Sequence, residues 1–477
     1  MEQAELVVVG AGPAGLHAAV TAAEAGLSVT VIDSYPRPGG QYFKQIPHPF
    51  QVDDRLSHQA AANSLFARFE RSGAHLLSDV LVWGIFPAPN GAGWQLALHG
   101  PLSPPRLDAQ ILILAAGAYD RPIPFPGWTL PGVMTAGAAL TLIKSQRILP
   151  GHRVLLSGTG PLQLAVAAAL VHAGAEVVGV LEGSSLGPDV LRQGSAVWGQ
   201  WMRLREGWDY WRVLRAARVR YRIGWSVVVA QGDGQVQEAI IAQLDRAWRP
   251  LPGTLQTVAA DTIITGYGFI PSTELSRLIG CAHDFVPAQG GYVPRRDVEM
   301  QTTLPGVYAV GDSGGIGGAA LASIEGQVAG LAASRRLGRL ADQAASTLIA
   351  QLQPQLAREQ RFARLLGRLF TPGPGLYALA DDDTVICRCE EVTVGEIRAA
   401  VADGVRSVNE LKALTRIGMG NCQGRICGEL AARWIAREAG WDDDDPSCLE
   451  MAGQFTARPP IHPLPLSVLA GATGSGS

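Results

Sequence analysis

Residues 6–15 read Leu6-Val7-Val8-Val9-Gly10-Ala11-Gly12-Pro13-Ala14-Gly15, an apolar run that passes directly into glycines spaced G-x-G-x-x-G. The apolar run predicts a buried strand, and the alanine-rich stretch after it predicts a helix that stops at Gly26. A second predicted strand ends on Asp33. A glycine turn between strand and helix, with an acidic residue about 20 positions on, is the fingerprint of a dinucleotide site. The sequence therefore predicts a Rossmann-type unit here.

The residue types of this turn suit a pyrophosphate. Glycines let the phosphates lie close to the helix N-terminus, where free N–H groups and the helix dipole favour negative charge. The acidic residue is placed to bind ribose hydroxyls. The predicted cofactor-binding residues of this unit are Gly10, Gly12, Pro13, Ala14, Gly15 and Asp33.

Two later strands favour FAD over NAD at this site. One closes on Ala115-Ala116-Gly117, and the other ends in Gly311-Asp312 before a glycine-rich helix start. Both resemble motifs of the glutathione- and thioredoxin-reductase-like flavoproteins, although the usual threonine of the first turn is missing. The resemblance implies FAD contacts from Ala116, Gly117, Gly311 and Asp312. A helix N-cap is the alternative role for Asp312.

A second strand–turn–helix unit repeats the first one about 150 residues later. Its turn, Gly158-Thr159-Gly160-Pro161-Leu162-Gln163, has glutamine in place of the third glycine, and the following strand ends on Glu182. Gly158, Gly160 and Glu182 are the predicted binding residues, and Glu182 suits a free 2′-hydroxyl rather than a 2′-phosphate. Two interpretations remain open: an NAD site, or a Rossmann-type fold without nicotinamide that is empty or binds another adenine nucleotide such as ATP.

Four cysteines near the C-terminus form a C-x-C pair, a 32-residue gap and a C-x4-C pair: Cys387, Cys389, Cys422 and Cys427. Four thiolates on a small helical domain suit a [2Fe–2S] cluster. Structural zinc and plain buried thiols are the alternatives. Capping boxes at Thr393-x-x-Glu396 and Ser407-x-x-Glu410 predict two short helices between the pairs.

Composition bounds the class of protein. The 477 residues carry a formal net charge of −3 and only 17% charged residues, which gives no indication of a nucleic-acid partner. No apolar run approaches the length of a transmembrane helix. Six cysteines, four of them grouped as ligands, indicate a reducing compartment and hence the cytoplasm.

The predicted fold is α/β, with two Rossmann-like dinucleotide-binding modules followed by a small C-terminal helical [2Fe–2S] domain. We predict an FAD-binding domain from residues 1–127 and 266–345, a second dinucleotide-binding-like domain at 128–265, a helical linker at 346–380, the cluster domain at 381–446 and a proline-rich tail at 447–477. Such tails are usually solvated, although this one could lie along a partner, and residues 471–477 read as disordered.

The remaining polar residues give weaker predictions. The position where disulfide reductases carry their redox pair reads Pro38-Gly39-Gly40-Gln41-Tyr42, so disulfide-reductase chemistry is not expected. Gly40, Gln41 and Tyr42 are flavin-pocket candidates, and no catalytic residue is assigned. Arg121 is predicted either to bind an acidic group or to pair on the surface. The sequence predicts structural or surface positions for His48, His283 and His462, a buried position for Cys281, and no role for Cys448.

Over nearly its whole length the chain resembles the alpha, or large, subunits of multi-subunit FAD-linked amino- and imino-acid dehydrogenases. The group includes opine oxidases, the hydrogen cyanide synthase middle subunit and D-hydroxyproline or L-proline dehydrogenases, with sarcosine oxidase alpha as a distant relative. The resemblance rests on Pro38–Gln41, on residues 118–137, on residues 310–319 and on the C-terminal cysteines, which resemble a bacterioferritin-associated-ferredoxin-like (BFD-like) domain.

The resemblance implies a division of labour. A beta subunit similar to D-amino-acid and glycine oxidases oxidises the substrate, and the alpha subunit passes the electrons on. Some complexes add a small ferredoxin-like gamma subunit. Relatives hold FMN at the alpha–beta interface, and FAD, NAD or ATP in the alpha dinucleotide site. Two other hypotheses stay open: a self-contained NADH-dependent reductase that feeds its cluster, and an assembly scaffold with degenerate sites.

Overall fold

The computed structural model of the chain describes residues 2–45, 57–89, 91–101, 103–185 and 194–473. The first module opens with β1 (Glu2–Val9), α1 (Pro13–Glu24), β2 (Val29–Ile32), α2 (Ser57–Arg71), β3 (His75–Leu77), β4 (Leu81–Pro87), β5 (Trp94–His99) and β6 (Arg106–Leu114). The second module follows as β7 (Ala118–Asp120), β8 (Val133–Thr135), α3 (Ala136–Thr141), β9 (Arg153–Gly158), α4 (Leu162–His172), β10 (Glu176–Glu182), α5 (Gly194–Val197), α6 (Trp201–Ala216), β11 (Tyr221–Ile223), β12 (Trp225–Gln231), β13 (Glu238–Gln243), β14 (Gln256–Ala259) and β15 (Thr262–Gly266).

The chain then returns to the first module and continues into the C-terminal region. The return consists of β16 (Phe269–Pro271), α7 (Glu274–Leu278), β17 (His283–Val286), β18 (Gly291–Pro294), β19 (Val307–Ala309) and α8 (Ala319–Arg336). The C-terminal region consists of α9 (Asp342–Phe370), α10 (Pro374–Tyr377), β20 (Val385–Cys387), β21 (Val392–Thr393), α11 (Val394–Ala402), α12 (Val408–Thr415), α13 (Gly428–Glu438), α14 (Pro446–Ala452) and α15 (Leu466–Thr473).

The sheet of the first module has the strand order β3-β2-β1-β6-β5-β4, and β19 also pairs with β6. Strand β1 is parallel to both β2 and β6, so the glycine turn after β1 opens at the carboxyl edge of the sheet. Helix α8 packs closely on α1, and glycines at the contact make this possible. A Cβ on Gly326 or Gly330 would lie 2.1 or 2.7 Å from the carbonyl oxygen of Ala14 or Ala18. This packing brings the start of α8 beside the glycine turn.

The second module is a parallel sheet ordered β11-β10-β9-β15-β8, accompanied by the antiparallel sheet β12-β13-β14. The antiparallel pair β7–β16 forms the two crossings between the modules. The α/β architecture with two Rossmann-like modules is therefore confirmed.

The C-terminal helices form a core that also includes upstream residues. Both predicted capping boxes are present at the starts of α11 and α12. Cys387 and Cys427 are buried in this core together with Phe285 and Tyr267 of the upstream chain. The cysteine-bearing C-terminal region is thus packed against the upstream chain rather than tethered to it.

The proline-rich tail is anchored to the first module at Ile461, whereas Leu466 further along it is 82% exposed. Ile461 is buried in the core of the first module, and its N–H donates to the carbonyl of Trp83 at 3.0 Å. Residues 471–473, predicted to be disordered, belong to α15, and residues 474–477 lie outside the described ranges. Among the helices that the structure describes, none is long and apolar enough to cross a membrane.

Candidate functional site

A cavity of about 2060 Å³ lies between the two modules. Its walls include most of the residues that the sequence predicts for the first nucleotide. They are Gly10, Gly12, Pro13, Ala14, Asp33, Gly40, Gln41, Tyr42, Ala116, Gly117, Gly311 and Asp312. The structure thus brings together three stretches of chain that are separated by up to about 300 residues.

Glycines shape this cavity by allowing backbone segments to touch. Gly10 has φ +107°, and a Cβ on it would lie 2.3 Å from the carbonyl oxygen of Ala115. A Cβ on Gly40 would lie 2.9 Å from Cα of Gly12, so the predicted flavin loop rests on the glycine turn. Gly15 does not line the cavity; its missing side chain lets α1 approach the carbonyl of Gly10. The turn has the open face that a pyrophosphate requires.

Two carboxylates face the cavity, Asp33 buried and Asp312 half-buried. Asp33 accepts hydrogen bonds from the backbone N–H groups of Ala11 at 2.5 Å and Tyr35 at 2.8 Å. Asp312 accepts from the N–H groups of Gly317 and Gly318, directly before α8. Burial raises the pKa of both carboxyls. Each carboxylate keeps acceptor capacity for a hydroxyl. The N-cap alternative for Asp312 is wrong, because the N-cap of α8 is Gly318 and Asp312 binds the backbone just before the helix.

An ion pair between Arg296 and Glu325 supports the Gly311-Asp312 turn. The sequence motifs did not predict this pair. Glu325 accepts from the N–H of Gly311 at 2.8 Å, and Arg296 donates to Glu325 at 3.0 Å and to the carbonyl of Ala309 at 2.8 Å. The pair fixes the end of β19, from which the Gly311-Asp312 turn projects.

The second glycine turn has different surroundings. Gly158, Gly160 and Glu182 are not among the residues that line the cavity. Glu182 accepts from the N–H groups of Gly160 and Ser184 and from the Ser184 hydroxyl. A Cβ on Gly160 would lie 3.4 Å from Cγ of Phe370, the last residue of α9. The ring of Phe370 thus packs against this turn.

The four cysteines of the C-terminal set come together as two pairs. Thiol hydrogen bonds join Cys387 to Cys427 and Cys389 to Cys422. Within the described residues, no three His, Cys, Asp or Glu side chains are grouped as a site for one metal ion. The structure thus gathers the four thiols that a [2Fe–2S] cluster requires, and this cluster stays the prediction for the site.

The backbone around the thiols also fits such a cluster. A hydrogen bond with Cys427, reinforced by N–H groups of Gly418, Glu390 and Cys389, holds the pKa of Cys387 at about 5. A thiolate stabilised in this way is the form that binds iron. A Cβ on Gly420 would lie 2.1 Å from Cβ of Cys389, so only glycine allows this approach of the two loops.

Arg425, which lies between Cys422 and Cys427 in sequence, connects the cysteine loop to the cavity. Its guanidinium donates to the hydroxyl of Tyr119 at 2.8 Å and to the carbonyl of Cys422 at 3.1 Å. Arg425, Tyr119 and His462 all line the cavity. Burial, followed by the charge of Arg425, lowers the pKa of His462 to about 4, so this imidazole is neutral at pH 7.

Comparison with known proteins decides the family. The family described as "Pyridine nucleotide-disulphide oxidoreductase" matches residues 4–326, and the family described as "Sarcosine oxidase A3 domain" matches residues 382–473. An opine oxidase subunit of Rhizobium meliloti (strain 1021) is 35% identical over 98% of this chain and 98% of its own length. The hydrogen cyanide synthase component HcnB of Pseudomonas protegens is 34% identical over 97% of this chain and 96% of its own length.

The chain belongs to the opine oxidase/HcnB family. It is an FAD-dependent oxidoreductase, as predicted. Cys281 is the sole cysteine within the matched residues 4–326, so this member of the family lacks the redox disulfide that the first description names.

Solved structures agree on the fold of this opine oxidase/HcnB family member. L-proline dehydrogenase from P. horikoshii superposes with a TM-score of 0.67 over 98% of this chain and 80% of that chain, at 19% identity. Thioredoxin reductase from T. acidophilum superposes with a TM-score of 0.52 over 71% of this chain and all of that chain, at 20% identity.

Arg121 of this family member binds an acidic group, as one of its two predictions had it, and the surface alternative is wrong. Arg121 is buried and donates to both carboxylate oxygens of Glu429 at 2.7 Å, and to the carbonyl of Gly290 at 2.8 Å. Arg121 follows β7, whereas Glu429 lies on α13 directly after Cys427 and Gly428. Although burial opposes it, Arg121 and Arg433 hold the pKa of Glu429 below its usual range. The pair joins the nucleotide-binding part of the chain to the cysteine domain.

The other predictions concern single residues. Cys281 is buried in the core of the first module, as expected, and Cys448 lies on α14. His283 is structural: its two ring nitrogens lie 2.9 Å from the hydroxyl of Ser276 and 2.8 Å from the carbonyl of Cys281. His48 lies outside the described residues.

Proposed function

We propose that this chain is the electron-transferring flavin and iron–sulfur subunit of a multi-subunit amino- or imino-acid dehydrogenase. Its substrate class is the opine, hydroxyproline, proline or glycine type. The chain takes electrons from a substrate-oxidising flavin subunit, then passes them to an external acceptor. The observation that carries this proposal is the contact of Arg425 with both Cys422 and Tyr119, because it joins the paired thiols to the nucleotide cavity.

The assigned residues divide into two groups. Gly10, Gly12 and Asp33 hold the adenine-nucleotide half of FAD, whereas Asp312 and the start of α8 lie toward its flavin half. Cys387, Cys389, Cys422 and Cys427 hold the [2Fe–2S] cluster. FAD supplies the conversion between two-electron and one-electron transfer, and the protein supplies position and electrostatic environment.

The second glycine turn argues against the NADH-reductase alternative. Nicotinamide binding would require a pyrophosphate beside Gly160, where Phe370 lies, and a ribose on Glu182. The Glu182 carboxylate already accepts from five nearby donors, which leaves little room for a ribose hydroxyl. Electrons that do not enter from NADH must come from another chain. The names of the relatives describe parts of larger enzymes, which supports such a partner.

We infer the identity of the partners from the resemblance. The expected partner is a beta subunit of the D-amino-acid and glycine oxidase type, accompanied in some complexes by a small ferredoxin-like gamma subunit. FMN at the interface with beta belongs to this proposal, as does a cytoplasmic location, because four cluster thiolates require a reducing compartment.

The test is co-purification of the chain with its natural partner chains, followed by extraction of cofactors and a screen of amino- and imino-acid substrates. The proposal predicts FAD and about two irons per chain, and substrate oxidation only by the complex. Recovery without flavin or iron from the co-expressed complex would support the scaffold alternative instead. Rapid flavin bleaching by NADH in the isolated chain would favour the reductase.

A further inference from the structure

Helix α6 and the turn before it present a row of large apolar side chains, most of them tryptophan, to solvent. Trp198 is 74% exposed, Trp201 60%, Leu204 47%, Trp208 62% and Trp211 39%. From Trp201 onward these positions are spaced by three, four and three residues, which places them on one side of the helix. We call these five residues the tryptophan face.

The composition of the tryptophan face is typical of a protein-binding surface. Solvated helix faces rarely expose tryptophan, and a contiguous exposed apolar patch marks an interaction site. Tryptophan, methionine and arginine are enriched at protein interfaces, and tryptophan and arginine carry much of the binding energy. Met202, 67% exposed, adds to the patch.

Charge around the patch is mainly of one sign. Helix α6 carries four arginines and two acidic residues, and of these arginines Arg203 is held by Glu359 of α9 at 2.7 Å. Arg205 and Arg215 are exposed around the apolar row, and the exposed Arg212 lies 3.8 Å from Asp209 of the same helix. These arginines form a basic rim, whereas the chain as a whole has a formal net charge of −3. The rim favours a partner whose contacting surface is acidic.

The tryptophan face is continuous with the wall of the nucleotide cavity. Leu204, Trp208 and Trp211 line that cavity together with Gln41 and Tyr42 of the predicted flavin loop. A molecule seated on the tryptophan face would therefore cover this part of the wall and lie beside the flavin loop.

We propose that the tryptophan face is the docking surface of the substrate-oxidising flavin subunit, which meets it with an apolar centre and an acidic rim. This inference rests on the proposed function, because it locates the partner that the proposed function requires. A helix of 16 residues is about 24 Å long, which suits the core of an interface that buries about 800 Å² on each partner. Docking here brings electrons in beside Gln41 and Tyr42.

The test is the affinity of the partner for the cofactor-loaded chain, measured for Trp198→Ala/Trp201→Ala, whose two side chains are exposed and do not line the cavity. Two aromatic anchors at the centre of an interface should together raise Kd at least about 30-fold, while flavin and iron contents stay unchanged. The matched control is Leu255→Ala/Val298→Ala, which truncates two exposed apolar residues outside the face and should bind normally. Arg205→Glu should weaken binding most at low salt.

Different outcomes separate this inference from the proposed function. If the double variant binds the partner with the Kd of the unaltered chain, the docking surface lies elsewhere, although the proposed function stands. If no flavin subunit binds the unaltered chain, the proposed function itself fails. A third outcome would overturn the inference: the unaltered chain sediments with phosphatidylglycerol vesicles, and the double variant does not, although it still binds the partner. The tryptophan face would then dock on lipid.

Discussion

The buried pair between Arg121 and Glu429 gives the most quantitative prediction. The two side chains are 7% and 9% exposed, and Arg121 also donates to the carbonyls of Phe269 and Gly290. Arg121→Met leaves Glu429 with Arg433 as its remaining charged partner among the described contacts. Removing one member of a buried ion pair costs about 3–5 kcal/mol, because the other charge stays in a poorly solvated site.

The assay is thermal unfolding of the cofactor-loaded chain. For domains of this size about 1 kcal/mol lowers Tm by roughly 2–4 °C, so Arg121→Met should lower it by about 6–20 °C. Arg121→Met/Glu429→Leu should recover part of the loss, since it removes both charges together. Arg153→Met is the control, because its ion pair with Glu176 is more than half exposed and contributes less than about 1 kcal/mol. Equal Tm values for Arg121→Met and Arg153→Met would refute the reasoning.

Three further predictions concern single sites. Gly12→Ala should fold, because its Cβ position is 3.9 Å from the nearest atom, yet lower flavin content at least about tenfold by obstructing the pyrophosphate; unchanged flavin content would contradict this. Burial lowers the pKa of His283 to about 4, so the free energy of unfolding should fall as pH drops from about 6.5 to 4. His283→Gln should make this total fall smaller by about 2–3 kcal/mol, and parallel pH profiles of Tm for the two proteins would count against it. Cys389→Ser should lose the cluster iron while Cys448→Ser keeps it, as iron assay would reveal, and equal iron in both variants would refute the assigned ligand set.

The local parts of the fold were readable from sequence because their signals are short-range. The strand, glycine turn and helix at residues 2–24 depend on neighbouring residues, and so do the capping boxes at Thr393 and Ser407. Motif spacing also identified the nucleotide-binding turns in the cavity wall, since the turns at Gly10, Ala115 and Gly311 follow strands of one sheet.

Contacts between distant segments could not be read in this way. Arg121 and Glu429 are 308 residues apart, and no sequence motif predicts their contact. Phe370, at the end of a long helix, packs against the second glycine turn. That turn keeps two of the three glycines of its motif, so the motif gave no sign of this contact. Ile461 sits in a proline-rich stretch that composition alone predicts to be solvated, yet a hydrophobic pocket of the first module holds it.

Electron paramagnetic resonance of the purified complex under anaerobic conditions tests the central claim most directly. Addition of the amino- or imino-acid substrate should produce the signal of a reduced [2Fe–2S] cluster, and the signal should be absent from a complex that carries Cys389→Ser. NADH alone should leave the spectrum silent, because Phe370 packs against the second glycine turn. A cluster signal that NADH produces in the isolated chain, or a cluster that stays oxidised while the complex turns over substrate, would contradict the account.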